Sequence, residues 1–179
     1  MLEVLKKCCE TKKPVSLYVD PDRPTAFRYG EVLAVNGEEL LTLMVSPEGN
    51  YDGLLLLSTP DIYRIEVDTQ YNKRMEILTK PFEKPALQVS ETNIKQDLLG
   101  YLAAEGRIAS FSIGNGETVY GTVTERSDGY CTIRQVDYYG KADGISYLDT
   151  SEISTIEFDS AEMQELNTLW NHQNGQTNA

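Results

Sequence analysis

The amino-acid sequence is written twice. Sliding the 179-residue chain against itself by 91 positions sets Gly30 on Gly121, Val32 on Val123 and Val45 on Val136. Gly49 then meets Gly140, Asp52-Gly53 meets Asp143-Gly144, and Leu57 meets Leu148. Thr59, Ile62, Ile65-Glu66 and Asp68 fall on Thr150, Ile153, Ile156-Glu157 and Asp159. The register holds without a gap from position 30 to 68, and these twelve identities in thirty-nine positions mark a duplication. Upstream the offset is expected to become 93, because the turn Asp20-Pro21-Asp22-Arg23-Pro24 is longer than Gly114-Asn115-Gly116. A repeat of this length implies two supersecondary units of one kind, so the fold has to be read once and applied twice.

Each copy opens on a helix. Met1, Leu5, Cys8 and Cys9 in the first, and Ile94, Leu98, Tyr101 and Leu102 in the second, follow the i, i+4, i+7, i+8 spacing of an apolar face. Breakers follow at Lys12-Lys13-Pro14 and Glu105-Gly106-Arg107. Five strand-like runs come next, separated by turn residues: 14–19, 26–35, 39–46, 53–58 and 62–67, then 107–113, 118–126, 130–137, 144–149 and 153–158. Asn36-Gly37 and Asp128-Gly129 sit where hairpin turns call for positive φ. The shared Asp-Gly pairs at 52–53 and 143–144 read as turn chemistry before the fourth strand. A closing helix is expected over 69–79 and again over 161–171, the latter capped by Ser160. The organisation predicted is a first barrel with flanking helices over 1–80, a linker at 81–90, a second over 91–172 and a disordered tail from 173 to 179.

A helix followed by five short antiparallel strands in about 70 residues suggests a small barrel. Residues 94–158 resemble the Sm-like family, which includes the Hfq proteins. The resemblance rests on Gly114-Asn115-Gly116, on Val119-Tyr120-Gly121-Thr122-Val123 with Gly121 at the bend of the second strand, and on Ser127-Asp128-Gly129-Tyr130. The run Glu152-Ile153-Ser154-Thr155-Ile156 is similar to the family's closing strand, and residues 1–67 match more loosely. The resemblance implies two tandem Sm-like five-stranded barrels with edge strands that pair between units, and RNA as the family's ligand.

The departures weigh against RNA. Where the family places basic residues before its closing strand, this chain has Asp149-Thr150-Ser151 and Ser58-Thr59-Pro60. The only histidine, His172, is expected beyond the final helix. The formal net charge is −12; residues 1–85 carry 11 basic and 14 acidic groups, and residues 86–179 carry 5 and 14. Such a field repels phosphate, on which non-specific nucleic-acid binding depends.

No catalytic set emerges. A nucleophile elbow, phosphate loop or paired-cysteine motif is absent from the sequence. Cys8, Cys9 and Cys131 lack metal-knuckle spacing and read as small buried hydrophobes in a reduced compartment. Asp20, Asp22 and Glu31 mimic positions 1, 3 and 12 of a calcium loop, but Pro24 and Thr25 break it. No membrane-length apolar run occurs, and residues 1–7 read as an amphipathic helix rather than a secretory leader. A non-enzymatic cytoplasmic protein with no cofactor, metal or small-molecule substrate is therefore expected.

Its candidate binding surfaces are two. Tyr138 and Tyr139, with Asp128 and Tyr130, form an aromatic group special to the second copy; alternation predicts that one of the paired tyrosines packs on the core and one is exposed. Lys12, Lys13, Arg23 and Arg28 form the one concentration of basic residues, where RNA would be sought if it bound. The function expected is protein contact or self-association through edge strands, so that a charge at Leu56 or Leu148 should break an assembly.

Overall fold

The computed structural model describes residues 1–175 apart from Asn115 and Asp128. The chain is mainly β with four α-helices, and it divides into two compact units, Met1–Lys95 and Gln96–Ala179. The first contains α1 (Leu2–Thr11), β1 (Val15–Tyr18), β2 (Arg28–Val35), β3 (Glu39–Val45), β4 (Tyr51–Ser58), a 3-10 turn at Thr59–Asp61, β5 (Arg64–Glu66) and α2 (Gln70–Leu78). The second follows with α3 (Ile94–Glu105), whose first residues precede the boundary, β6 (Ala109–Ile113), β7 (Thr118–Ser127), β8 (Tyr130–Val136), β9 (Ala142–Asp149), β10 (Ile153–Phe158) and α4 (Ala161–Gln173). No helix is long and apolar enough to cross a membrane.

Strand order in the first unit is β5–β1–β2–β3–β4 and in the second β10–β6–β7–β8–β9, with every neighbour antiparallel. Among the described residues no ladder joins the outer strands of a unit, β5 to β4 or β10 to β9. Each five-stranded set is therefore open and does not close into a hydrogen-bonded barrel. The first core gathers Leu5, Cys8, Val15, Leu17, Val32, Leu40, Leu55 and Ile62. In the second, Ile108, Val136, Met163 and Leu166 pack with Tyr120 and Trp170. Removing a Leu or Ile side chain of this kind from water contributes about 1.5–3 kcal/mol, which is what holds α1 and α4 on their sheets.

The duplication extends to atomic detail. Leu17 pairs with Ile65 as Phe111 pairs with Ile156, and Val15 pairs with Gly30 as Ala109 pairs with Gly121. The offset upstream of the strand-two glycine is thus 94, not the expected 93, because the β1–β2 loop is three residues longer than its counterpart. Cβ atoms at Gly30 and Gly121 would lie 2.2 Å from the Leu43 carbonyl oxygen and 2.1 Å from that of Arg134, which are equivalent residues. Only glycine lets the strands approach so closely at this bend. Thr69 and Ser160 cap α2 and α4 by accepting from the Asn72 and Met163 N–H groups. Asp68 and Asp159 both hold left-handed φ, 59° and 61°, and are ion-paired to Lys13 and Arg107.

Two turn expectations change. Gly37 lies outside the positive-φ region; the Asn36 side chain builds that hairpin instead, its Oδ1 accepting from the Glu38 and Glu39 N–H groups. Gly129 does take φ 88°. The Asp-Gly pairs lie inside β4 and β9 rather than before them. Gly53 and Gly144, at φ 87° and 93°, sit where the ladder shifts register by one residue, so each pair forms a β-bulge. At the C-terminus α4 continues through Gln173, where the tail was expected to start, and residues 176–179 lie outside the described residues.

Candidate functional site

The β8–β9 turn is built from its own side chain. The Asp137 N–H donates to the Lys141 carbonyl at 2.8 Å, and Asp137 Oδ1 accepts from the Tyr139 and Lys141 N–H groups at 2.9 and 2.7 Å. Gly140 (φ 76°) completes it against α4, where a Cβ would fall 2.7 Å from Leu169. This turn carries Tyr138 and Tyr139, 75% and 71% exposed, with rings edge to face at 6.1 Å. The expectation that one of them packs on the core is therefore wrong: a five-residue turn takes both out of strand alternation.

Tyr138 overhangs a small groove formed with Tyr120, Glu162, Glu165, Leu166 and Leu169. Burial pushes the Tyr120 hydroxyl up, with the Glu162 carboxylate adding to the shift. Tyr130 is exposed at the start of β8, its ring 6.4 Å from that of Tyr147 on β9. Asp128, expected beside it, lies outside the described residues.

β9 is what sequence reasoning missed. It is an outer strand, hydrogen-bonded among the described residues to β8 alone. Ile145 and Tyr147 share one face of it and are 61% and 71% exposed. Their equivalents in the first copy, Leu54 and Leu56, are 0% and 1% exposed. Local alternation pointed the wrong way: in Ile145-Ser146-Tyr147-Leu148 it places Ile145 and Tyr147 inward, whereas Ser146 and Leu148 take the more buried face. Leu56 and Leu148 are both buried, so a charge at either disrupts its own unit rather than reporting an assembly.

The four basic candidates do not form one patch. Lys13 is bound to Asp68 at 2.6 Å and Arg23 to Asp20 at 2.5 Å, and the Arg23 guanidinium holds the Asp20 carboxyl below its ordinary range. Lys12, at φ 53°, caps α1 and lines a cleft with Cys9, Glu31 and Lys84. Arg23 and Arg28 line a different cleft, of about 590 Å³, between the β1–β2 loop, the β3–β4 turn and Tyr71 of α2. Cys8 and Cys131 are buried, and burial pushes their thiols up, that of Cys131 to about 11. A thiol so placed carries little thiolate. Among the described residues no cluster of three or more His, Cys, Asp or Glu side chains is arranged to hold a metal.

No protein-family model, no curated protein and no solved structure matches this chain.

Proposed function

We propose that the chain is a non-enzymatic tandem module of two Sm-like units that acts by assembly with a second copy of itself. The observation that carries this reading is the open edge of β9 with Ile145 and Tyr147 exposed on it. An edge strand presents unpaired N–H and C=O groups, and apolar side chains beside them make it a template for another strand. The first unit offers an outer strand, β5, hydrogen-bonded among the described residues to β1 alone.

Charge selects the arrangement. The first copy holds 11 of the 16 basic residues and is net −3, whereas the second is net −9. Joining β9 to β5 of a second chain sets the less acidic copy against the more acidic one. Joining β9 to β9 opposes two strongly negative copies. Head-to-tail contact of this kind closes into a ring or propagates.

The test is native mass spectrometry and light scattering of the full chain at about 50 mM salt. The parent should assemble, and Ile145→Asp with Tyr147→Ser should give monomer with unchanged circular dichroism, since both residues are exposed. A parent that stays monomeric would sink this reading. Extra mass from a co-purified protein would make the edge a hetero-contact. Bound nucleotide would turn the reading to RNA, against which the ionised Asp149 stands; the Ser151 hydroxyl and N–H hold its carboxyl below the ordinary range.

A further inference from the structure

The cleft lined by Arg23 and Arg28 is a different site on a different unit, and its walls carry a chemistry the assembly does not use. Phe27 at the end of the β1–β2 loop and Tyr71 on α2 meet edge to face, centroids 4.8 Å apart and planes at 85°. Tyr29 adds a third ring, 5.7 Å from Tyr71. Together they line an aromatic corner within the 590 Å³ cleft, a volume in the range of small-molecule sites.

Four charged side chains line the same cleft, whereas the Tyr29 hydroxyl is closed to solvent and offers it no donor. Arg28, at the first position of β2, is exposed and forms no ion pair among the described residues. Arg23 also lines the cleft but is held by Asp20, and Asp52 supplies a second carboxylate on the wall.

We propose that this cleft binds a small planar aromatic compound bearing one anionic group, its ring seated against Phe27 and Tyr71 and its anion held by Arg28. Two carboxylates against two guanidiniums leave the wall near neutrality, so a single anionic group is accommodated and a polyanion is not. Simple aryl phosphates and free nucleoside monophosphates share this chemistry, and so does one residue of a single-stranded polymer. The balance of charge favours the free compound.

Titration of the full chain by calorimetry and aromatic-region NMR distinguishes these sources. The probes are phenyl phosphate, AMP, inorganic phosphate and a mixed-sequence RNA hexamer. Phenyl phosphate or AMP should shift the Phe27, Tyr29 and Tyr71 resonances saturably, and inorganic phosphate should bind at least about tenfold more weakly, lacking the ring. Arg28→Gln should weaken binding about tenfold, the scale of a lost hydrogen bond to a charged group. The proposal is overturned by no saturable shift at about 10 mM of either aromatic probe, by shifts away from the cleft, or by phosphate binding equally well. A hexamer that binds more tightly than AMP overturns the choice of a free compound.

Discussion

Asn167 fastens α4 to the start of β6, and replacing it should be among the most damaging single changes in the second unit. Its Oδ1 accepts from the Ile108 N–H at 3.0 Å, and its Nδ2 donates to the Met163 carbonyl at 2.7 Å and the Ile108 carbonyl at 3.5 Å. Ile108 is 0% exposed, so Asn167→Ala leaves its N–H buried without its protein partner. That orphan costs about 1–3 kcal/mol and the lost bonds about 1 kcal/mol more. The better helix propensity of Ala returns about 0.7 kcal/mol. The net is a loss of about 1–3 kcal/mol, which at a urea slope of about 2 kcal/mol/M lowers the midpoint by about 0.5–1.5 M. Trp170, the sole tryptophan, lies on the same helix and reports the transition by fluorescence. Amide exchange of Ile108 should accelerate in step. The equivalent residue in the first copy, Glu76, is exposed, and Glu76→Ala should stay within about 0.5 kcal/mol. A cost under about 0.5 kcal/mol for Asn167→Ala, with Ile108 protection intact, would refute the reasoning.

Gly121→Ala should cost about 2–3 kcal/mol because its Cβ meets backbone, and the β7–β8 ladder must part to admit it. Gly37→Ala, with nothing within 4 Å and no positive φ, should instead stabilise by about 0.5 kcal/mol; urea denaturation of both variants checks the contrast. Burial pushes the Tyr29 hydroxyl up to about 12 from its ordinary 10, the Glu76 carboxylate adding to the shift. The folded state then holds a proton that the unfolded state has released, so stability is intact below pH 10 and falls as pH rises towards 12, by up to about 3 kcal/mol. Stability curves over that range should flatten in Tyr29→Phe, and an unchanged slope would contradict the assignment.

The strands were legible because short apolar runs, alternating in β10 and unbroken in β4, are bounded by turn residues, and because the second copy checks the first. Ser160 was legible as a cap for the same local reason: an N-cap needs only its own side chain and the next turn. What escaped depends partly on partners remote in sequence and partly on side chains that build turns locally. The hairpin at Asn36-Gly37 looks like a glycine turn until the Asn36 carbonyl oxygen is seen taking two N–H groups. Asp52-Gly53 and Asp143-Gly144 look like turn pairs, and only the ladder on the facing strand reveals a bulge. Tyr138 and Tyr139 both face outward because the turn, not the strand, sets their directions. The aromatic cleft joins Phe27 and Tyr29 to Tyr71 across more than forty residues, a distance over which no periodicity speaks.

The shared register of the two units has a kinetic consequence. Leu17 pairs with Ile65 across 48 residues of chain, and Phe111 pairs with Ile156 across 45. A mispairing of β5 with β6, Ile65 against Phe111, would span 46 residues. Loop-closure entropy changes with the logarithm of length, so this wrong contact is as cheap to form as either right one. Discrimination during folding falls to side chains: Leu17 in one unit against the bulkier Phe111 in the other, and the Arg64 guanidinium 4.5 Å from the Tyr18 ring, an attraction available only to the correct partner of β1. Sequence divergence between the copies therefore protects the nascent chain from swapping its own halves, a hazard that repeats with closer identity carry.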